Sequence, residues 1–416
     1  MRTTSNAPGT SRRGPTVELA AVPRSPLRAL AAERLFRLVV RRLPVRVCLP
    51  GGERLGAGGP DAPVMRIERP VAFFHRLGVD AKIGFGESYM AGDWSSPDLA
   101  DLLTPFASRM ATLVPPPLQT LRRWVDARQP RAERNTENGA RQNIHRHYDL
   151  SNDLFAQFLD ETMTYSAAWF DDLDAGGDGL AQAQRRKIDA ILDLAGVHSG
   201  TWLLEIGTGW GELALRAARR GAFVTTLTIS TEQRDLALRR IADAGLSDRV
   251  RVLLCDYRQA QGRFDAVVSV EMIEAVGTQY WPAYFRAIDR LLVPGGRVGL
   301  QAITMPHDRM LATRHSYTWI HKYIFPGGQV PSVPAIEQTV AEHTGLRIDA
   351  RRELAAHYAH TLRLWQVRFR RNWPAITELG FDETFRRMWE FYLAYAEAGF
   401  RGNYLNVWQF GMSKPR

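Results

Sequence analysis

The chain has 416 residues, 45% of them hydrophobic, with a net charge of +10 and a pI near 9.9. That length predicts two or three units with a sizeable core, and no apolar run approaches the roughly 20 residues of a membrane-spanning helix. Two cysteines, Cys48 and Cys255, exclude a disulfide scaffold and a cysteine-based zinc site, and suit a reducing compartment such as the cytoplasm. The positive excess suits nucleic acid, an anionic membrane face, or simply a solvated arginine-rich surface.

Residues 1–25 are rich in Ser, Thr, Pro, Gly and Arg and read as a disordered tail. Arg12 and Arg13 precede no hydrophobic stretch, so a secretory signal is not expected. Residues 26–125 read as a small domain. Residues 27–40 have helical spacing, 45–49 and 65–67 read as short strands, and 71–77 and 96–106 are further elements. Between these lies GFGESYMAGDW, residues 84–94, and a polar linker is expected at 126–140.

From residue 201 the pattern alternates. Strands are expected at 201–205, 222–229, 251–255, 264–270 and 297–303, with helices at 212–220, 231–244 and 281–292. Such alternation predicts a parallel sheet with helices on both faces, an α/β Rossmann-like fold. A largely helical insertion is expected at about 305–355, and a last strand at 406–413, closing a domain that spans 141–416.

The strongest chemical signal is Leu203-Leu204-Glu205-Ile206-Gly207-Thr208-Gly209-Trp210-Gly211. A strand ends in a carboxylate, and glycines at every second position then open a helix. Glycines there let backbone approach a ligand at the carboxyl end of a strand. The spacing differs from the GxGxxG of dinucleotide sites. It resembles motif I of the class I S-adenosylmethionine methyltransferases, which implies a seven-stranded sheet and a cradle for the amino-acid end of that cofactor. The same resemblance places Thr228 and Gln233 at the ribose and adenine edge, and Tyr257 beside the adenine. Asp256 is read either as an adenine neighbour or as a turn cap.

Six further segments narrow the substrate: 144–153 (IHRHYDLSND), 163–170 (MTYSAAWF), 268–277 (VSVEMIEAVG), 319–328 (WIHKYIFPGG), 357–362 (HYAHTL) and 407–410 (VWQF). In this order they resemble the cyclopropane-fatty-acyl-phospholipid synthase family, which includes the mycolic acid methyltransferases. The resemblance covers about 140–416. It extends more weakly to GESYMAGDW, similar to the N-terminal domain of the phospholipid-modifying members, so it implies unsaturated phospholipid acyl chains as substrate. It also implies that Tyr165 and Ser166 contact the methionine end of the cofactor. A bicarbonate would be held by Glu274 and Tyr358, with Gln301 and the backbone at Ala167 and Ile303. Here Ala167 stands where the family has Cys, and Gln301 where it has His, so the anion site is altered. Residues 300–310 resemble the branch that forms mid-chain methylene, tuberculostearic-type acids, but the residues leave cyclopropane and methylene products open.

Such chemistry needs a base beside a carbocation in a dry pocket. Tyr148, Trp169, Tyr323 and Tyr358 are candidates to face the cation or to be plain core, and residues around 305–345, with Trp319 and 323–325, are candidates to line a lipid tunnel. His145 with His147 and His357 with His360 lack HExxH spacing, so no metal is expected; His147 reads instead as part of an ordering network with Asp149 and Asn152. A nucleic-acid methyltransferase lacks support because the chain has neither an Asn/Asp-Pro-Pro-Tyr/Phe motif nor a Pro-Cys nucleophile. A non-catalytic lipid-binding protein of the same fold is the rival, resting on Ala167 and Gln301. A peripheral position on the inner membrane face and a homodimer complete the expectations.

Overall fold

The computed structural model describes residues 17, 19–110, 130, 139, 151–173 and 179–416. The linker at 126–140, apart from residues 130 and 139, lies outside the described residues, as do His145, His147, Tyr148 and Asp149.

The N-terminal part runs α1 (Pro26–Val40), β1 (Arg46–Cys48), β2 (Arg54–Leu55), β3 (Val64–Ile67), α2 (Pro70–Val79), α3 (Ala81–Met90), β4 (Trp94–Ser95) and α4 (Leu99–Ser108). Pro26 and Pro70 open their helices at the first turn, where a missing N–H costs nothing. Asp80 caps α3 by accepting from the N–H of Lys82 and Ile83, at 2.8 and 3.1 Å. The four strands form a small sheet of order β2-β1-β3-β4. GESYMAGDW is therefore helix followed by turn and strand.

The second sheet has seven strands: β5 (Trp202–Ile206), β6 (Phe223–Thr228), β7 (Val250–Leu254), β8 (Phe264–Val270), β9 (Leu292–Thr304), β10 (Arg347–Glu353) and β11 (Asn406–Ser413), in order β10-β11-β9-β8-β5-β6-β7. β5 to β9 are parallel, and β11 runs antiparallel to both β9 and β10. The strand order reverses at β5, so the crevice between the ends of β5 and β8 is where ligands bind in open sheets of this kind.

One element departs from the sequence reading. The stretch expected to be largely helical contains helices His307–Thr313, Trp319–Tyr323 and Val333–His343, but also the edge strand β10. Its sequence, RIDARRE, alternates exposed and half-buried positions. Its apolar face is only Ile348 and Ala350, too faint to show as a strand without the neighbour β11 that pairs with it.

Apolar clusters sit on both faces of the large sheet. A third, continuous cluster joins α1–α4 to the helices Asn152–Phe158, Ala355–Arg371 and Glu383–Arg401. Trp94, Trp365 and Trp389 are fully buried in it. The N-terminal part thus shares its core with the C-terminal helices. It also grips the insertion: Glu87 accepts from Lys322 Nζ at 2.6 Å and Tyr323 Oη at 2.7 Å, and Lys82 Nζ meets Ser316 Oγ at 2.8 Å.

Trp319 lies flat against Gly86, where an added Cβ would come within 2.5 Å of the indole. Alanine is the better helix former by about 1 kcal/mol, while overpacking costs about 1–3 kcal/mol. Gly86→Ala is therefore expected to lower the unfolding free energy by a denaturant titration. An increase would show that the indole yields freely.

Candidate active site

The crevice at the switch point is a cleft of about 1220 Å³, including its open mouth. Tyr165, Ser166, Glu205, Gly207, Gly209, Thr228, Gln233 and Tyr257 all line it. Gly211 does not. It stands behind the turn at φ +92°, opening the helix Glu212–Arg219, and an added Cβ would sit 3.2 Å from Ala237.

Gly207 is at φ +101°, and a Cβ there would strike Met272 at 2.7 Å, whereas Gly209 at φ +50° faces open space. Only glycine gives this turn both its dihedrals and its clearance. Thr228 Oγ1 donates to Gln233 Oε1 at 2.9 Å, which leaves the Gln233 NH2 as the donor on that wall. Asp256 caps its turn, accepting from the Arg258 N–H at 2.9 Å and pairing with its guanidinium at 2.6 Å, and it also lines the cleft. Glu205 is 3% exposed, its Oε2 has no hydrogen-bond partner among the described residues, and burial pushes its carboxyl up to about 8. An orphaned buried carboxylate oxygen beside a glycine turn fits the ammonium of an amino-acid-bearing cofactor.

Ser166 Oγ accepts from Lys187 Nζ at 2.6 Å. Lys187 is fully buried on the helix Leu180–Leu194, and burial brings its ammonium down to about 8 against the pull of Glu271, Asp160 and Glu205. It lines the same cleft as Glu205 and Glu271, a cation set among acids. Tyr165 shares a hydroxyl contact of 2.7 Å with Tyr392 and packs on Trp365, ring centroids 5.1 Å apart.

The expected anion site assembles around a different acid. Ala167 N–H donates to Glu271 Oε1 at 2.9 Å, Gln301 Nε2 donates to the same oxygen at 2.8 Å, and Tyr358 Oη donates to Glu271 Oε2 at 2.9 Å. Three of the donors assigned to a bicarbonate therefore hold a carboxylate of the chain itself. Ile303 N–H goes elsewhere, to Glu274 Oε1, whose other oxygen has no partner among the described residues. Glu274 does not meet Tyr358, because it sits one helical turn past the end of β8, on the helix Ile273–Val276, while Glu271 stands just past the strand's end. Glu271 adopts φ +50°, a left-handed backbone that is strained for a residue with a side chain and typical of functional positions.

Gln409, directly opposite Gln301 in the β9–β11 register, donates from Nε2 to Gln301 Oε1 at 3.0 Å. With its oxygen so engaged, Gln301 presents NH2 to Glu271, a donor that does not titrate. Neither Glu271, Lys187 nor Gln409 emerged from the sequence as a site residue. The available signal was the pair of acids three apart at the end of one strand.

Burial raises both Glu271 and Glu274, but three donors steady the Glu271 anion while Glu274 has one. Glu274 is pushed up to about 8 by burial and then by the charge of Glu271, so it stays protonated near neutrality. Tyr358 lies well above the ordinary tyrosine range through burial and Glu271, and remains a donor.

Other candidates fall elsewhere. The Trp169 face is covered by the Arg352 guanidinium, 4.4 Å from the ring centroid. Trp319 and Tyr323 turn to the N-terminal part, whereas Phe325 packs on Tyr392, centroids 5.6 Å apart. His357 accepts from the Phe170 N–H at 3.4 Å, and His360 stands edge-on to the Phe170 ring. Asn152 accepts from Trp210 Nε1 at 2.7 Å, tying the helix Asn152–Phe158 to the glycine turn.

A carboxyl raised in the fold contributes stability below its unfolded pKa of about 4.5, and that stability is lost as pH rises through about 8. Glu274→Gln keeps the acceptor for Ile303 but cannot ionise. Between pH 4.5 and 8 its unfolding free energy should gain on the parent's, by at most about 1.4 kcal/mol per pH unit. Parallel stability curves across that window would show that Glu274 is ionised in the fold.

Comparison with known proteins agrees with this architecture. The chain is 54% identical over 407 residues to tuberculostearic acid methyltransferase UfaA1 of Mycobacterium tuberculosis, covering 96% of this chain and 95% of that one. It is 35% identical over 364 residues to the cyclopropane-fatty-acyl-phospholipid synthase of Escherichia coli, covering 84% and 87%. Among solved structures, mycolic acid cyclopropane synthase CmaA1 complexed with SAH and CTAB matches with a TM-score of 0.60 at 32% identity, over 69% of this chain and 99% of that one. Residues 135–410 match the family described as mycolic acid cyclopropane synthetase, and the chain belongs to that family.

Proposed function

We propose that this chain is an S-adenosylmethionine-dependent methyltransferase acting on the double bond of unsaturated phospholipid acyl chains, with Glu271 as the resident base. The observation that carries the reading is the buried Glu271 carboxylate, held by Ala167, Gln301 and Tyr358 on the wall of the cofactor cleft. The relatives' names, a tuberculostearic acid methyltransferase and a fatty-acyl-phospholipid synthase, support the substrate class, and the SAH in the CmaA1 structure supports the cofactor.

Glu205 would hold the cofactor's ammonium, the turn Gly207–Gly209 its amino-acid end, Gln233 its ribose edge and Tyr257 its adenine. The cofactor supplies an electrophilic methyl group. The alkene's π electrons would form the new carbon–carbon bond to that methyl as its bond to sulfur breaks and the electron pair leaves with the sulfur, and the neighbouring carbon of the acyl chain would become a cation. That cation needs a base but no water, and the aromatic wall of Tyr165, Trp365, Tyr358 and Phe400 supplies ring faces in a dry setting. A hydride shift to the cationic carbon, then loss of a methyl proton to Glu271, gives an exocyclic methylene. Ring closure with loss of the same kind of proton gives a cyclopropane. The full-length likeness to the tuberculostearic enzyme favours the methylene.

In this reading the place expected for bicarbonate belongs to Glu271. Tyr358 and Gln301 fix the carboxylate, and Lys187 lends it a positive neighbour. A peripheral position on the inner face of the membrane accords with the net charge of +10, and no helix among the described residues is long and apolar enough to cross a bilayer. A homodimer is part of the same reading.

Incubation with methyl-labelled cofactor and unsaturated phospholipid should yield lipid heavier by one methylene, and mild hydrogenation then separates methylene, which is reduced, from ring. Glu271→Gln is expected to lower turnover by about 10²–10⁴-fold, with cofactor affinity kept in calorimetry and no rescue by added bicarbonate. Full activity in that variant, or restoration by bicarbonate, would remove Glu271 from its role.

A further inference from the structure

Helix α1 carries apolar residues on two opposite faces. Ala29, Phe36 and Val40 are buried, and Phe36 stacks edge-on to Phe73 and Phe74 of α2. The opposite face turns outward with Leu27, Ala31, Arg34, Leu38 and Arg41, at the alternating four- and three-residue spacing of one helical stripe. Leu27 is 82% exposed, Leu30 48% and Leu38 42%. Leu27 is thus more exposed than any other large hydrophobic side chain among the described residues.

The charge on that face has one sign. Arg24, Arg28, Arg34, Arg41 and Arg42 are exposed in and beside α1. The helix holds a single acid, Glu33, and it is spent on Arg37 at 2.9 Å. Glu53 of the neighbouring hairpin also pairs with Arg37. Described residues 17 and 19–25 do not cover the stripe: Ala20 O is bonded by Arg76 and Ser25 N–H by His75, both on α2.

Leucines left in water between arginines, with no unpaired acid, make an interfacial helix. We infer that the outer face of α1, about 22 Å long, is the surface by which the enzyme lies on an anionic phospholipid bilayer. Leu27, Leu30 and Leu38 enter the acyl boundary, and the arginines meet lipid phosphates. A second copy fits the face poorly, because a two-fold contact sets arginine against arginine. The inference rests on the proposed lipid substrate, which is itself embedded in such a surface, and it assigns the docking to residues outside the cleft lining.

The test uses the full chain in co-sedimentation with vesicles of phosphatidylcholine alone or mixed with phosphatidylglycerol. Binding is expected only to the anionic vesicles and should fall as salt rises. Arg28→Gln, Arg34→Gln and Arg41→Gln together should weaken it by about a hundredfold, at about fivefold per arginine. Leu27→Ser with Leu38→Ser should weaken it at every salt concentration. Both variants should keep the parent's methyl transfer to detergent-dispersed unsaturated phospholipid, which shows that they are folded. If the parent transfers no methyl in detergent, the substrate reading fails, and sedimentation with thermal melting curves decides the docking face alone. Unchanged vesicle binding in both folded variants would overturn the inference. So would a variant that alters only the mass seen by light scattering, since the face would then join copies of the chain.

Discussion

A carboxylate enters an apolar wall only where donors converge on it, and Ala167, Gln301 and Tyr358 converge on Glu271 from three separate parts of the chain. Ala167 comes from the loop after the helix Asn152–Phe158, Gln301 from β9 and Tyr358 from the helix Ala355–Arg371. The strained backbone at Glu271 is tolerated because its own N–H also bonds to Gln301 O at 2.8 Å. Much of the surrounding architecture serves to hold these parts together. Gln409 fixes the Gln301 amide from β11, and the Tyr358 ring is wedged against Phe400, centroids 4.6 Å apart.

Charge in this region is arranged by burial rather than by exposed pairs. Glu205, Glu271, Glu274 and Lys187 are all removed from water, and each is moved toward neutrality by the loss of solvation. What separates them is hydrogen bonding. Glu271 keeps three donors, Glu274 keeps one, and one oxygen of Glu205 has no partner among the described residues. The rival reading of a non-catalytic protein rested on Ala167 and Gln301. In the fold both still donate: the alanine through its backbone, the glutamine through an amide that cannot lose its proton.

The N-terminal part is joined to this machinery through α3 and the helix Trp319–Tyr323. Glu87 holds Lys322 and Tyr323, and the chain then passes through Phe325 to Tyr392, whose hydroxyl meets Tyr165 at the cleft. A shared apolar core connects the two parts. The face proposed to lie on a bilayer and the cleft proposed to act on its lipid thereby share one apolar core.

The alternating strands and helices, the glycine turn at 205–211 and part of the cleft lining, from Tyr165 and Ser166 to Tyr257, were legible in the linear chain. These signals are local: periodicity of two or 3.6, a glycine where φ must be positive, an acid at a strand end. The sequence also named Tyr358, Gln301 and the Ala167 backbone as donors to one anion. The packed fold is what brings a carboxylate of the chain, Glu271, onto those donors. Glu271 and Glu274 are three residues apart, and the sharp turn at the end of β8, with φ +50° at Glu271, points one carboxylate at Tyr358 and the other at Ile303. No pattern in a linear chain encodes that turn. β10, Lys187 and Gln409 were hidden for a related reason, since each acquires its role from partners distant in sequence: β11 for the strand, Ser166 for the lysine, and the antiparallel register with Gln301 for the glutamine.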